Sequence, residues 1–356
     1  MSEELTVRTE NEMIPQYKKT VLLVSTLFML IFVLRYIAVV LIEYVAITLS
    51  GELDYQVVYI IELSISGLFL QVLPAVIAAF MFGYLGKNGR GIKCLYTIPK
   101  STTRAIGNFS AVYGFGNIFN ILTIIVTYFI TSKADITRKL NTVADQSTLG
   151  LGGAWFMFFL LVVIAPIFEE FIFRGAIQTA LKPYGNGLAI FVSGILFGIY
   201  HGNFQQVFYT AAAGIALGYI ANVTGSIFPT TIIHAMMNFI GGVMVLLINT
   251  EPVQEYIING SEESIPDSDM IWVAMYGIFM VSVLILILVG LITAIMKIKQ
   301  IKRYKAPKVW GEVKNSRKVA MLVFTVPTII SAILVVGTFS GVPDEIIYDF
   351  LKGVVG

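Results

Sequence analysis

Charge is scarce in this chain: of 356 residues, 13% are Asp, Glu, Lys or Arg. Cysteine is scarcer. The one cysteine, Cys94, excludes an internal disulfide and every Cys-rich metal site, and its basic connecting segment reads it as a solvent-facing thiol rather than a nucleophile. No period of 20 to 50 residues repeats, which excludes solenoid and propeller architectures. The first 19 residues include Glu3, Glu4, Arg8, Glu10, Glu12, Lys18 and Lys19, a polar tail and not a cleavable signal peptide. A net charge of +2, with basic residues gathered in particular loops and not across a face, carries no signal for nucleic acid, and no nucleic-acid partner is expected. What is abundant is apolar: 57% of residues, with a mean hydropathy of +0.83. The class is therefore an all-α polytopic membrane bundle whose environment is the lipid bilayer.

A bilayer crossing takes about 20 apolar residues. By that measure the spacing predicts helices over 20–49, 57–86, 105–131, 150–182, 187–203, 206–223, 226–248, 270–297 and 319–341, a bundle of eight or nine. A single transmembrane domain then runs over 20–341, between the tail at 1–19 and a short C-terminal tail at 342–356. Lys87, Arg90, Lys93, Lys100 and Arg104 in the 87–104 connection, and the basic 297–318 connection, belong on the cytoplasmic side. The 249–269 connection has six acids and no base, and Glu52 and Asp54 lie in the 50–56 loop, which suits the outer side. A path that starts in the cytoplasm satisfies all four loops and puts Lys182-Pro183-Tyr184 inside.

Within these apolar runs stand the only two histidines, His201 and His234, and the acid pair Glu169-Glu170. Ionisable groups at membrane depth are costly enough that a functional site is the default reading. Glu169 lies 13 residues before Lys182 and His201 lies 14 residues beyond the helix start at 187, roughly 20 Å each at the helical rise, and His234 lies about 12 Å into its own helix. Glu170 and Arg174 are four apart and can pair, which offsets the burial of both charges. Glu169, turned about 100° away, lacks that partner and suits a general base. His234 and Asn238 share a face, as do Phe197 and His201, where the ring can fix the imidazole rotamer. Pro166 frees the carbonyl of Val162 and kinks the helix ahead of the acids.

Glu169-Glu170-x-x-x-Arg174, Phe197-x-x-x-His201 and His234-x-x-x-Asn238, in this order, resemble the three motifs of the CAAX-protease and bacteriocin-processing (CPBP, or Abi) family of intramembrane glutamate-dependent proteases, which includes the type II CAAX prenyl endopeptidases. The resemblance covers roughly 150–248, the extent of a four-helix catalytic core. It implies a multi-pass protein of a bacterial cell membrane that hydrolyses a peptide bond in a peptide or membrane-anchored substrate. In that family the first acid and first histidine activate a water, here Glu169 and His201. The second histidine and the asparagine hold the oxyanion, here His234 and Asn238, while Glu170, Arg174 and Phe197 support them.

Other readings stand beside this one. Glu169, His201 and His234 also form a His2Glu zinc set with an open water position, although no HExxH pair is present; the metal-independent form, with no cofactor, is preferred. Glu170 with Arg174 reads alone as a structural ion pair, and each histidine alone as an interhelical hydrogen bond. In a non-catalytic immunity or regulatory protein on the same fold the motif residues would serve structure, and retention of every one of them favours the protease. A proton-coupled transporter needs repeats or broken helices in matching halves, and the chain has none. Arg35, Glu43 and Glu62 read as mutually paired or snorkelling, and Asn117 and Asn120 as helix bridges. Asn259-Gly260-Ser261 matches a glycosylation acceptor.

Overall fold

The structure is a computed structural model and describes residues 10–49, 51–85, 91–130, 150–259, 265–301, 315–340 and 342–355. Several residues of the topology argument fall outside these, namely Lys87, Arg90, Glu262, Glu263 and most of the 297–318 connection, as do Gly260-Ser261 of the acceptor tripeptide. Helices occur at Glu10–Leu49 (α1), Tyr55–Met81 (α2), Phe109–Ile130 (α3), Gly150–Tyr184 (α4), Asn186–Tyr200 (α5) and Phe204–Thr224 (α6). They continue with Phe228–Ile248 (α7), Glu251–Asn259 (α8), Met270–Ile301 (α9), Asn315–Val323 (α10), Val326–Ser340 (α11) and Val342–Val355 (α12). No strand occurs among the described residues, as expected where lipid offers the backbone no hydrogen-bond partners.

Six of these helices are long and apolar enough to cross a membrane, fewer than the eight or nine expected. The chain is an integral, multi-pass membrane protein. Part of the difference is α5, whose 15 residues are too few for a full crossing. The expected helix over 319–341 is instead α10 and α11, bent by 65° and counting as a seventh span if taken as one. Its cause is local: Pro327 has no amide hydrogen, and Thr325 Oγ1 accepts from Thr328 N at 3.2 Å as an N-cap. At the amino end α1 already begins at Glu10, inside the polar segment, and 342–355 forms α12.

α4 is the central helix, with α2, α5 and α7 packed on it. One buried apolar cluster joins α1, α2, α4 and α5, including Leu27, Phe32, Ala78, Phe173 and Phe197. A second joins α3, α6 and α7, including Val112, Leu217 and Ile233. α5 and α6 form a tight hairpin: a Cβ on Gly194 would stand 2.5 Å from the Ile215 side chain, and one on Gly198 2.5 Å from the Val207 carbonyl. Only small residues permit such an approach, the usual basis of helix association in lipid.

Two helices of the core carry π-helical segments, each two residues ahead of a proline. In α2 the segment is Gly67–Val72, before Pro74; in α4 it is Leu160–Ile164, before Pro166. Ala165 N donates to Leu160 O, five residues back, so the next donor in that register is residue 166. Proline has none. The sequence puts the freed carbonyl at Val162; the π register moves it to Leu161, whose oxygen accepts from Asn238 Nδ2 at 2.8 Å. In α2 the carbonyl of Leu70, four residues before Pro74, accepts from Tyr200 Oη. A third π segment, Phe171–Gln178, follows the two acids, and Tyr84 Oη donates to the Gly175 carbonyl within it at 2.8 Å.

Candidate active site

The α-helical turn Ala165–Glu170 lies between two π segments of α4 and presents Glu169 and Glu170 on successive faces. Both are buried, at 4% and 0% exposure, as are Arg174 at 1% and His234 at 4%. Acids so deep need partners. Arg174 Nη1 lies 2.9 Å from Glu170 Oε1, the pairing that the four-residue spacing predicts, and Arg174 Nη2 donates to the Gly214 carbonyl on α6 at 3.1 Å.

His234 reaches across from α7 and stands between the acids. Its Nδ1 is 3.1 Å from Glu170 Oε1, and its Nε2 is 3.6 Å from Glu169 Oε2. Glu170 thus takes both the guanidinium and the imidazole on one oxygen. With Glu170 charged beside Arg174, the proton of the short contact belongs on Nδ1, which leaves Nε2 facing Glu169. Asn238, one turn further along α7 on the same helix face as His234, spends one amide hydrogen on the Leu161 carbonyl at 2.8 Å.

His201 is the first residue after α5. Gly202 turns the chain there with φ of 70°, and Asn203 caps α6 by accepting from Gln206 N at 2.8 Å. The imidazole Nδ1 lies 2.9 Å from the Phe197 carbonyl. A carbonyl only accepts, so Nδ1 carries the hydrogen and Nε2 of the neutral ring is a base. Glu169, His234 and Arg35 are near enough to act on this ring electrostatically. No direct Glu169–His201 bond joins the two among the described contacts, so a water between them is needed for joint action.

Phe197 does more than the spacing implies. Its ring stands edge-on to His201 at 4.9 Å and to His234 at 5.5 Å, and Arg174 lies over its face at 4.4 Å. One ring therefore packs against both imidazoles and the guanidinium. The Arg174 charge on its face is a cation–π contact inside the membrane.

Three contributors to the site are not visible in the motifs. Gln71 on α2 donates from Nε2 to Glu169 Oε1 at 2.9 Å. Arg35 on α1, expected to snorkel or pair with an acid, donates from Nη2 to the Tyr200 carbonyl at 2.5 Å, next to His201. Tyr96, outside the membrane helices, donates from Oη to the Ile167 carbonyl at 2.9 Å. Burial, with Glu170 nearby, pushes the Tyr96 hydroxyl well above its usual range, so it stays a neutral donor. A signal for Gln71 exists in the sequence: it stands alone in the apolar run from Gly67 to Met81. Elsewhere, Asn117 turns its amide back on its own helix, to the Tyr113 carbonyl at 2.9 Å, and so is not the bridge expected of it. Cys94 is exposed.

Among the described residues no three His, Cys, Asp or Glu side chains are grouped as a metal site requires. The zinc set of Glu169, His201 and His234 would need all three to point at one centre about 2 Å away. In this geometry His234 directs one nitrogen to Glu170 and the other towards Glu169.

Residues 151–240 match the family described as type II CAAX prenyl endopeptidase Rce1-like, which spans all seven motif residues. A Bacillus subtilis (strain 168) protein described as "Putative membrane peptidase YdiL" is 31% identical over 96 residues. Those residues are 27% of this chain and 38% of that protein's length. No solved structure matches. The resemblance that the three motifs carry is therefore found independently over the same helices, α4 to α7.

Proposed function

We propose that this protein is a membrane-embedded endopeptidase that hydrolyses a peptide bond of a peptide or membrane-anchored substrate, without a metal. The observation that carries this reading is His234, held at Nδ1 by Glu170 and directed at Nε2 toward Glu169, in a buried centre at the middle of the matched helices. Glu169 and the free Nε2 of His201 take the proton of a water placed between them, and the water oxygen attacks the scissile carbonyl. The carbonyl electrons move to oxygen. His234, oriented at Nδ1 by Glu170, offers Nε2 as the donor to that oxyanion, a contribution of about 2.7–4 kcal/mol for one such donor. Asn238 aids it with the amide hydrogen that Leu161 does not use. When the tetrahedral intermediate collapses, the C–N bond breaks and the amine leaves with the proton taken from water.

The test is comparative peptidomics of membranes from wild-type and Glu169→Ala cells. Loss of a defined set of released peptides, at equal protein level in the membrane, is the expected result. Identical peptide sets would sink the protease reading and favour a non-catalytic regulatory or immunity role. Release of those peptides is expected to survive chelator; loss in chelator with recovery on added zinc would overturn the metal-free form.

A further inference from the structure

Among the described residues outside the matched 151–240, Gln71 alone makes a hydrogen bond to the carboxylate of Glu169. A polar side chain in the apolar run of α2 costs free energy unless bonded, yet only one end of this one is accounted for. Nε2 donates to Glu169 Oε1, while Oε1 of Gln71 is buried with no donor among the described residues. A glutamine that merely tied α2 to α4 would satisfy both ends on the helices it joins. Its backbone is unusual too. Gln71 sits in the Gly67–Val72 π segment of α2 and reaches Glu169 on α4 from there. The two π segments are in contact range, since a Cβ on Gly67 would make ordinary van der Waals contact with Leu160 at 3.5 Å. Where the two segments face each other a cleft of about 140 Å3 opens between α2 and α4, lined by Leu63, Ser66, Gln71, Leu161 and Ile164. A water occupies about 30 Å3 of liquid, so the cleft has room for a few waters or one substrate side chain.

We propose that Gln71 is a positioning residue for Glu169. Its amide hydrogen holds Oε1, so that Oε2 faces His234 Nε2 across the 3.6 Å gap, and its own carbonyl oxygen is left at the cleft for an N–H of the bound peptide. The assignment of a reaction to Glu169 rests on the function proposed above; the clamp itself does not.

The clamp can be read without a substrate. Dicyclohexylcarbodiimide, an apolar reagent for carboxyl groups, is added to the purified full-length protein in detergent, and labelling of Glu169 is followed by mass spectrometry with Glu169→Gln as the blank. Gln71→Met keeps the length and removes both polar ends. It is expected to speed labelling about tenfold, the factor carried by one hydrogen bond to a charged group. Ser66→Ala, which lines the same cleft without touching Glu169, is expected to label at the wild-type rate. Equal rates in Gln71→Met and wild type overturn the proposal, and so does equal acceleration in Ser66→Ala, which would assign the effect to helix packing. On peptides whose release depends on Glu169, Gln71→Met is expected to lower kcat about tenfold while leaving the amount of folded protein unchanged. Absence of such peptides would remove the protease reading and leave the labelling result standing.

Discussion

Glu170 holds Arg174 at 2.9 Å and His234 at 3.1 Å on the same oxygen, so its charge serves packing and site together. Removing Arg174 alone strands a buried carboxylate, a defect worth about 3–5 kcal/mol. Arg174→Ala is therefore expected to lower the thermal unfolding midpoint of the detergent-solubilised protein sharply. Replacing both partners, as Glu170→Met with Arg174→Met, removes the charges in pairs and is expected to regain most of that stability, since apolar replacements of a buried pair are often neutral or better. Peptide release should stay lost in the double variant, because His234 no longer has an acceptor at Nδ1. Recovery of release with stability would show that Glu170 serves packing alone. This pair was legible in the sequence because its partners lie four apart on one helix. The contact of His234 with the same oxygen was not, since residues 64 positions apart leave no periodic trace.

At the scale of the element, the π segments explain where the sequence reading departs from the structure. Period-3.6 reasoning puts the carbonyl freed by Pro166 at Val162. One inserted residue shifts the register of α4, and the carbonyl that Asn238 meets from α7 is that of Leu161. Nothing in the composition of Leu160–Ile164 announces that insertion; only the proline that follows hints at it. A double-mutant cycle tests the account. Asn238→Ala is expected to cost about 1–3 kcal/mol of stability by leaving the Leu161 carbonyl without a donor. With Pro166→Ala in place, residue 166 regains an amide hydrogen and the same Asn238→Ala change should cost markedly less. Additive costs would mean that the proline and the asparagine do not share that carbonyl. The in-helix pair Phe197 and His201 was readable from spacing, and their edge contact at 4.9 Å is present; the approach of the same ring to His234 and Arg174 needed three helices to come together.

For the whole molecule, apolar runs located the bundle well, and lengths misjudged α5 and the broken α10–α11 pair because helix breaks depend on caps and prolines rather than on hydropathy. Orientation rests on loop charge, and the chain carries its own probe of it. Cys94 is the one cysteine, it is exposed, and it lies in the basic connection between α2 and α3. A membrane-impermeant maleimide is expected to label it in inverted vesicles and not in intact cells; labelling of intact cells would reverse the assigned topology. The carbonyls beside Pro74 and Pro166 bear on how such a bundle can move. Each is met by a side chain from a different helix, Tyr200 from α5 and Asn238 from α7. Sliding α2 or α4 along its axis would pull a backbone oxygen away from its donor and into hydrocarbon, where nothing replaces it. These two bonds act as pegs that block axial travel and leave rotation about the π segments as the low-cost motion. Any opening between α2 and α4 is then a hinge and not a piston.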